Sequence, residues 1–173
     1  MNTKQIYSVL SQHPITSGVF CGVYASNKLP HTKLERYPAA FVANVDPDTK
    51  PGSHWVAFYI QDKWHGEYFD SYGRPPLQKA FIRFLQRNCT TWVQNRHHLQ
   101  GAFSSVCGQY VLYYLLHRSQ GQSMDHIVNN FVEDKDMNDF YVNDFIEKNM
   151  GLITPIYDVD FLTSQISKSF IQS

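Results

Sequence analysis

Four side chains of this chain have the types and the order needed to make and break an acyl bond: His54, Asp70, Gln100 and Cys107. A cysteine attacks a carbonyl as its thiolate. The apolar stretch that starts at Cys107 predicts a helix whose free N–H groups and partial positive charge favour that anion. An imidazole must then take and return the proton, a carboxylate must orient it, and a donor must hold the oxyanion. His54 is the candidate base, Asp70 the orienting acid, and Gln100 the side-chain donor beside the Cys107 backbone N–H. Singly, each has a plainer reading: a structural imidazole, a turn former, a loop amide and a buried small hydrophobe. The ordered set points to nucleophilic catalysis.

Such a set needs a scaffold. Residues 53–60 alternate, with His54, Val56, Phe58 and Ile60 on one side and Trp55, Ala57 and Tyr59 on the other, which predicts a strand. A loop over 61–66 and a returning strand over 67–70 make a hairpin that sets His54 and Asp70 side by side. Cys107 to His117 is apolar almost all round, so this helix is expected to be central and buried, with Gly121 after its end. Gly108 leaves the backbone behind the thiol uncrowded, and Trp55 is placed to wall the imidazole. Around this frame the pattern predicts helices over 3–12, 77–88, 124–132 and 137–148, with Thr3 capping the first. Strands are expected over 19–24 and 38–45 and at Trp92 and Val93.

At 173 residues the chain suits one domain, 1–173, with a tail over 152–173 whose packing the sequence leaves open. In that tail Ile156, Val159, Phe161, Leu162, Ile166 and Phe170 recur without a lasting period. Hydrophobic residues at 43% against 17% charged exclude a disordered chain. The start carries no apolar signal-peptide core and no run is long enough to span a membrane, so an intracellular or particle-packaged, unsecreted protein is expected. Three distant cysteines, Cys21, Cys89 and Cys107, predict no disulfide framework. Neighbouring side chains on a strand point apart, so His97-His98 is a poor chelate even with Cys89 upstream, and no metal site is expected. Net charge is zero, yet residues 1–118 carry 12 Lys+Arg against 6 Asp+Glu, and residues 119–173 carry 3 against 9. That asymmetry gives only weak support to a nucleic-acid partner.

The runs Gly52-Ser53-His54-Trp55-Val56-Ala57-Phe58 and Tyr68-Phe69-Asp70-Ser71-Tyr72-Gly73, then Gln100-Gly101 with Ser104 and Cys107-Gly108, resemble the adenain family of viral cysteine endopeptidases. The same clan includes the SUMO-deconjugating proteases, and proteins of Polinton-like and related large DNA elements look similar. The likeness runs from about Gly18 to Gly121. It implies an α+β fold with a mixed central sheet flanked by helices. It also implies cleavage of virion precursor proteins after small residues, often glycine, during particle maturation. Two departures stand out: Asp70 occupies the place of a glutamate in adenain proper, and the chain is shorter than most members. The resemblance further implies a short activating viral peptide, for which Cys89 stands at the matching place for a disulfide; DNA activation is supported less. The chemistry itself requires no cofactor, and a monomer is expected. Two other readings stand beside this one: an isopeptidase that removes a ubiquitin-like modifier, and a non-catalytic capsid-associated binding module.

Overall fold

The computed structural model describes residues 1–152 and Ile156; the remaining tail residues, among them Val159, Phe161, Leu162, Ile166 and Phe170, lie outside the described part. The elements in chain order are α1 (Thr3–Gln12), β1 (Phe20–Tyr24), β2 (Ala39–Asn44), β3 (Trp55–Ile60), β4 (His65–Phe69), α2 (Lys79–Asn88), β5 (Thr91–Gln94), α3 (Cys107–Ser119), α4 (Met124–Val128) and α5 (Lys135–Met150). The strands form one sheet in sequence order. The central pairs, β2 with β3 and β3 with β4, are antiparallel, and the outer pairs, β1 with β2 and β4 with β5, are parallel. This is the mixed sheet of an α+β fold.

The alternation along β3 sorts its side chains between two cores. Trp55, Ala57 and Tyr59 join the core built by α1, α3, α4 and α5, while Val56, Phe58 and Ile60 join the one under α2. Both faces of β3 are therefore buried, and all six of its residues are inaccessible or nearly so. In the α2 core Phe58 meets Phe81, Phe84 and Tyr68 edge-on, with ring centroids 5.2–5.3 Å apart. Across the sheet Phe69 stacks flat on Tyr114 of α3, 4.4 Å between centroids.

Helix α3 is buried along most of its length, as its apolar pattern predicts. Polar groups fix its far end to the sheet. Arg118 Nε donates to Glu67 at 2.8 Å and a terminal nitrogen donates to Gln61 Oε1 at 2.6 Å, while the guanidinium lies 4.5 Å over the Tyr59 ring. Tyr114 also donates to Glu67. An ion pair this enclosed adds little net stability, but it penalises any sliding of the helix that would unpair the charges. The position of Cys107 at the other end is thereby held.

Several boundaries differ from the sequence expectation for identifiable reasons. Asn2, not Thr3, caps α1: its side chain accepts from Gln5 N–H while the Gln5 side chain accepts from Asn2 N–H, a reciprocal box. Helix α2 begins at Lys79 rather than at residue 77. Helix α5 begins at Lys135 because Asp134 accepts from Asp136 and Met137 N–H. Helix α4 stops at Val128, and the next residues turn back toward α5, where Asn138 takes the Val132 N–H. Gly66 in β4 is required by a close approach, since a Cβ there would lie 2.5 Å from Cys89 Sγ. Among the described residues no helix is long and apolar enough to cross a membrane.

Candidate active site

His54 and Asp70 sit just beyond the two open ends of the β3–β4 hairpin. Ahead of His54, Asn44 Oδ1 accepts both Asp46 N–H (3.0 Å) and Ser53 N–H (3.2 Å), which closes the intervening loop, and beyond the last strand pair a single main-chain bond, Val45 N–H to the His54 carbonyl at 2.9 Å, ties the histidine to the end of β2. His54 is therefore a loop residue where the alternation had placed it in a strand. Asp70 is held from the other side by Asn95: the Asp70 N–H donates to Asn95 Oδ1 at 2.9 Å, and Asn95 Nδ2 donates to the Asp70 carbonyl at 2.7 Å. One amide side chain thus continues the sheet's hydrogen bonding past its last strand pair. Sequence reading missed Asn95, which lies 25 residues from Asp70 with no spacing to betray it.

His54 Nε2 and Asp70 Oδ1 are 2.8 Å apart, and Tyr72 N–H donates to the same oxygen at 2.8 Å. Both side chains are largely out of water, 11% and 4% exposed, so the pair is poorly screened. With Nε2 engaged by the carboxylate, Nδ1 is the nitrogen left for the thiol. The Tyr72 ring lies against the imidazole, 4.9 Å between centroids, and the Arg74 guanidinium covers Tyr72 at a similar distance.

Cys107 is the first residue of α3, so its own N–H has no partner inside the helix. Burial alone would raise the thiol's pKa, but the hydrogen bond with His54, the imidazolium charge and the Trp55 N–H carry it below the ordinary cysteine range. Burial likewise disfavours a charged imidazole. Its hydrogen bonds to Asp70 and Cys107 and their negative charges outweigh that, and His54 is pushed up to about 9. Both shifts favour one state, thiolate beside imidazolium. Gly108 makes room behind the thiol, because a Cβ there would meet the Met1 side chain at 2.8 Å. Met1 is tied down in turn by the Trp55 indole N–H, which donates to its carbonyl at 3.1 Å.

Gln100 is almost wholly buried yet faces the cleft. Ser71 hydroxyl donates to its Oε1 at 2.7 Å, which fixes which end of the amide is the donor, and one Nε2 hydrogen goes to the Ser104 carbonyl at 3.0 Å. Among the described residues the second Nε2 hydrogen has no acceptor. His54, Tyr72, Gln100 and Cys107 all line one open cleft of about 710 Å³, with Trp55 and Met1 in its wall. The structure brings together all four residues singled out from the sequence. The set can generate a thiolate, move a proton through Nδ1 and donate to an oxyanion.

Cys89 is placed elsewhere. It is 5% exposed under α2, its thiol donates to the Leu85 carbonyl at 3.3 Å, and burial pushes it up to about 11. A thiol so enclosed and so reluctant to ionise is a poor partner for disulfide exchange with a passing peptide. Of the other thiols, Cys21 is exposed. Among the described residues no group of three or more His, Cys, Asp or Glu side chains is placed to hold a metal ion.

No protein-family model matches the chain. Curated relatives include a cysteine protease of African swine fever virus, 30% identical over 112 aligned residues that cover 57% of this chain and 40% of the relative. In other isolates of that virus the relative is described as a SUMO-1 cysteine protease, with the same identity and coverage. A putative thiol protease of Acanthamoeba polyphaga mimivirus is 30% identical over 110 residues, covering 57% of this chain and 36% of the relative. These matches span about two fifths of the relatives' length. The crystal structure of the African swine fever virus protease superposes with a TM-score of 0.53 at 21% identity, covering 82% of this chain and 65% of that one; its selenomethionine form gives 0.55. The homologues of this chain are thus viral cysteine proteases, and its fold is that of the African swine fever virus protease.

Proposed function

We propose that the chain is a cysteine endopeptidase of a virus or virus-like element that cleaves virion precursor proteins after small residues, glycine foremost. The observation that carries this reading is His54 held between Asp70 and Cys107, with a Gln100 amide hydrogen facing the same cleft. The Cys107 thiolate attacks the scissile carbonyl carbon, and the electron pair of the C=O moves onto oxygen. The Gln100 Nε2–H and the Cys107 N–H receive that oxyanion. As the intermediate collapses, His54 gives its Nδ1 proton to the leaving amine and a thioester remains. Water then loses a proton to Nδ1 and attacks the thioester; collapse frees the acid and restores the thiolate–imidazolium pair. Asp70 stays ionised throughout and holds the ring. Every proton and electron pair is accounted for by side chains, so the steps need no metal or cofactor. The preference for small residues is supported by the buried setting of Cys107, between Trp55, Met1 and Gln100.

A second reading, removal of a ubiquitin-like modifier, is favoured by the description of some relatives as SUMO-1 proteases. Its bond chemistry is the same. Coexpression with candidate virion precursors, alongside incubation with SUMO conjugates, separates the two. The expected result is new termini after glycine in the precursors, absent with Cys107→Ala. Turnover of conjugates alone favours the isopeptidase, and an unchanged substrate pattern on loss of Cys107 refutes both.

A further inference from the structure

The oxyanion loop, residues 99–105, is gripped from outside the hairpin by two neighbouring residues of α5. Asp139 is fully buried; its Oδ2 accepts the Gly101 N–H at 3.0 Å and its Oδ1 accepts the Tyr110 hydroxyl at 2.9 Å. The Tyr110 oxygen also lies 3.1 Å from the Leu99 carbonyl, so its single proton has two acceptors to choose between. Asn138, 2% exposed, donates from Nδ2 to the same carbonyl at 3.2 Å. Gly101 has no side chain where one would collide with this carboxylate: a Cβ there would lie 2.7 Å from Asp139 Oδ2. The main chain on both sides of Gln100 is therefore clamped to α5, while Leu99 and Gln100 N–H both donate to the Ser71 carbonyl.

We propose that Asp139 is a positioning residue for the oxyanion donor: by holding Gly101 N–H and Tyr110 it sets the Gln100 amide at the height where an oxyanion forms. This role rests on the peptidase reading above. A buried carboxylate is costly to keep, and burial pushes this one above the usual range, against the hydrogen bonds from Ser104, Tyr110 and Gly101 that favour its ionised form. A carboxyl group retained there at such cost fits a geometric task, because oxyanion donors lose much of their effect when displaced by about an ångström. An asparagine at 139 would keep the clamp, its Oδ1 accepting the Gly101 N–H and its Nδ2 donating to the Tyr110 oxygen while the Tyr110 proton goes to the Leu99 carbonyl, whereas an alanine there loses both contacts.

The test uses the full chain and a fluorogenic amide ending in Gly-Gly. For Asp139→Ala we expect kcat to fall at least about tenfold with KM nearly unchanged, and for Asp139→Asn, which keeps both contacts, most of that loss to be restored. Alkylation of Cys107 by iodoacetamide forms no oxyanion and should keep its rate. In a Gln100→Ala background Asp139→Ala should cost nothing further, since the donor that Asp139 positions is gone. Tyr110→Phe, which removes one of the donors, should show the same pattern more weakly and serves if Asp139→Ala does not fold. Equal losses with and without Gln100, or alkylation that falls in step with kcat, would overturn the positioning role. Wild-type protein that alkylates normally but turns over no amide refutes the peptidase reading and this role with it. Turnover unaltered by Asp139→Ala refutes the role alone.

Discussion

The proposed acid–base half of the site and its proposed oxyanion half are built by different means. His54 and Asp70 stand 16 residues apart at the mouth of one hairpin, and the ladder of the sheet does most of the positioning. Gln100 lies in a loop with no ladder of its own, and side chains up to 38 residues away hold it: Ser71 on the amide, Asp139 on the following N–H. The acid–base pair is therefore a product of local topology. The oxyanion donor is a product of tertiary packing, and it should be the part most easily detuned without unfolding the chain.

The contrast breaks most sharply at Asp70. Replacing it with alanine removes both the partner of Nε2 and the acceptor for Tyr72 N–H, and we expect kcat/KM to fall between about 10² and 10⁴-fold. Asp70→Asn keeps an oxygen that can accept from both and should be much milder, with the alkaline limb of the pH profile moved down because the negative charge is gone. Steady-state kinetics of the two variants decide this; equal losses would mean that charge outweighs orientation.

Gln100→Ala should cost about 10² to 10³-fold in kcat, the usual effect of losing one oxyanion donor. Its melting temperature should fall only by what the broken Ser71 bond costs, about 1 to 3 kcal/mol, because the main chain around it remains clamped to α5 and to the Ser71 carbonyl. Large unfolding on this substitution would show that the loop is held by the amide rather than the reverse.

The pH profile sharpens the acid–base half. The thiolate–imidazolium pair persists between a depressed Cys107 and a His54 pushed up to about 9. Activity should hold through neutrality and fall about tenfold per unit at higher pH, as the proton for the leaving amine is lost. Stability carries two opposed contributions. The proton bound more tightly by folded His54 contributes fully below its ordinary 6.5, and that contribution is lost as pH rises through about 9. Folded Cys107, held below its ordinary 9.0, contributes the opposite slope over the same window, because the unfolded thiol keeps a proton that the folded one has lost. Thermal melts should be nearly flat there in the wild type and show the His54 decline in Cys107→Ala.

The smallest effect is expected at Ser71. Ser71→Ala leaves Gln100 Oε1 without its donor in a buried setting, worth about 1 to 3 kcal/mol, so a loss in kcat on the order of tenfold follows. A restored rate in Ser71→Thr, which keeps the hydroxyl, would tie the loss to the hydrogen bond.

These differences also mark how far the sequence could be read. Strand alternation from Trp55 to Ile60 and the short hairpin loop put His54 near Asp70, because both signals are local. Cys107 was legible as the start of a helix with no polar face. Asn95 and Asp139 were not: an amide that completes a sheet edge and a carboxylate that pins a loop act across 25 and 38 residues, and no periodicity records such a contact. His54 itself fell outside the strand because Asn44 closes the preceding loop with a side chain, a side-chain-to-backbone bond that alternation does not record.

Gly66 and Cys89 form a lock-and-notch pair across β4 and the end of α2. A methyl group at 66 and a sulfur at 89 cannot share the same space, so the two positions must vary together. Gly66→Ala alone should lower the melting temperature, Cys89→Ala should be tolerated beside it, and the double variant should recover most of the loss. Related chains should then trade bulk between these sites as a coevolving couple, and the cysteine would be kept for its volume rather than for its redox chemistry.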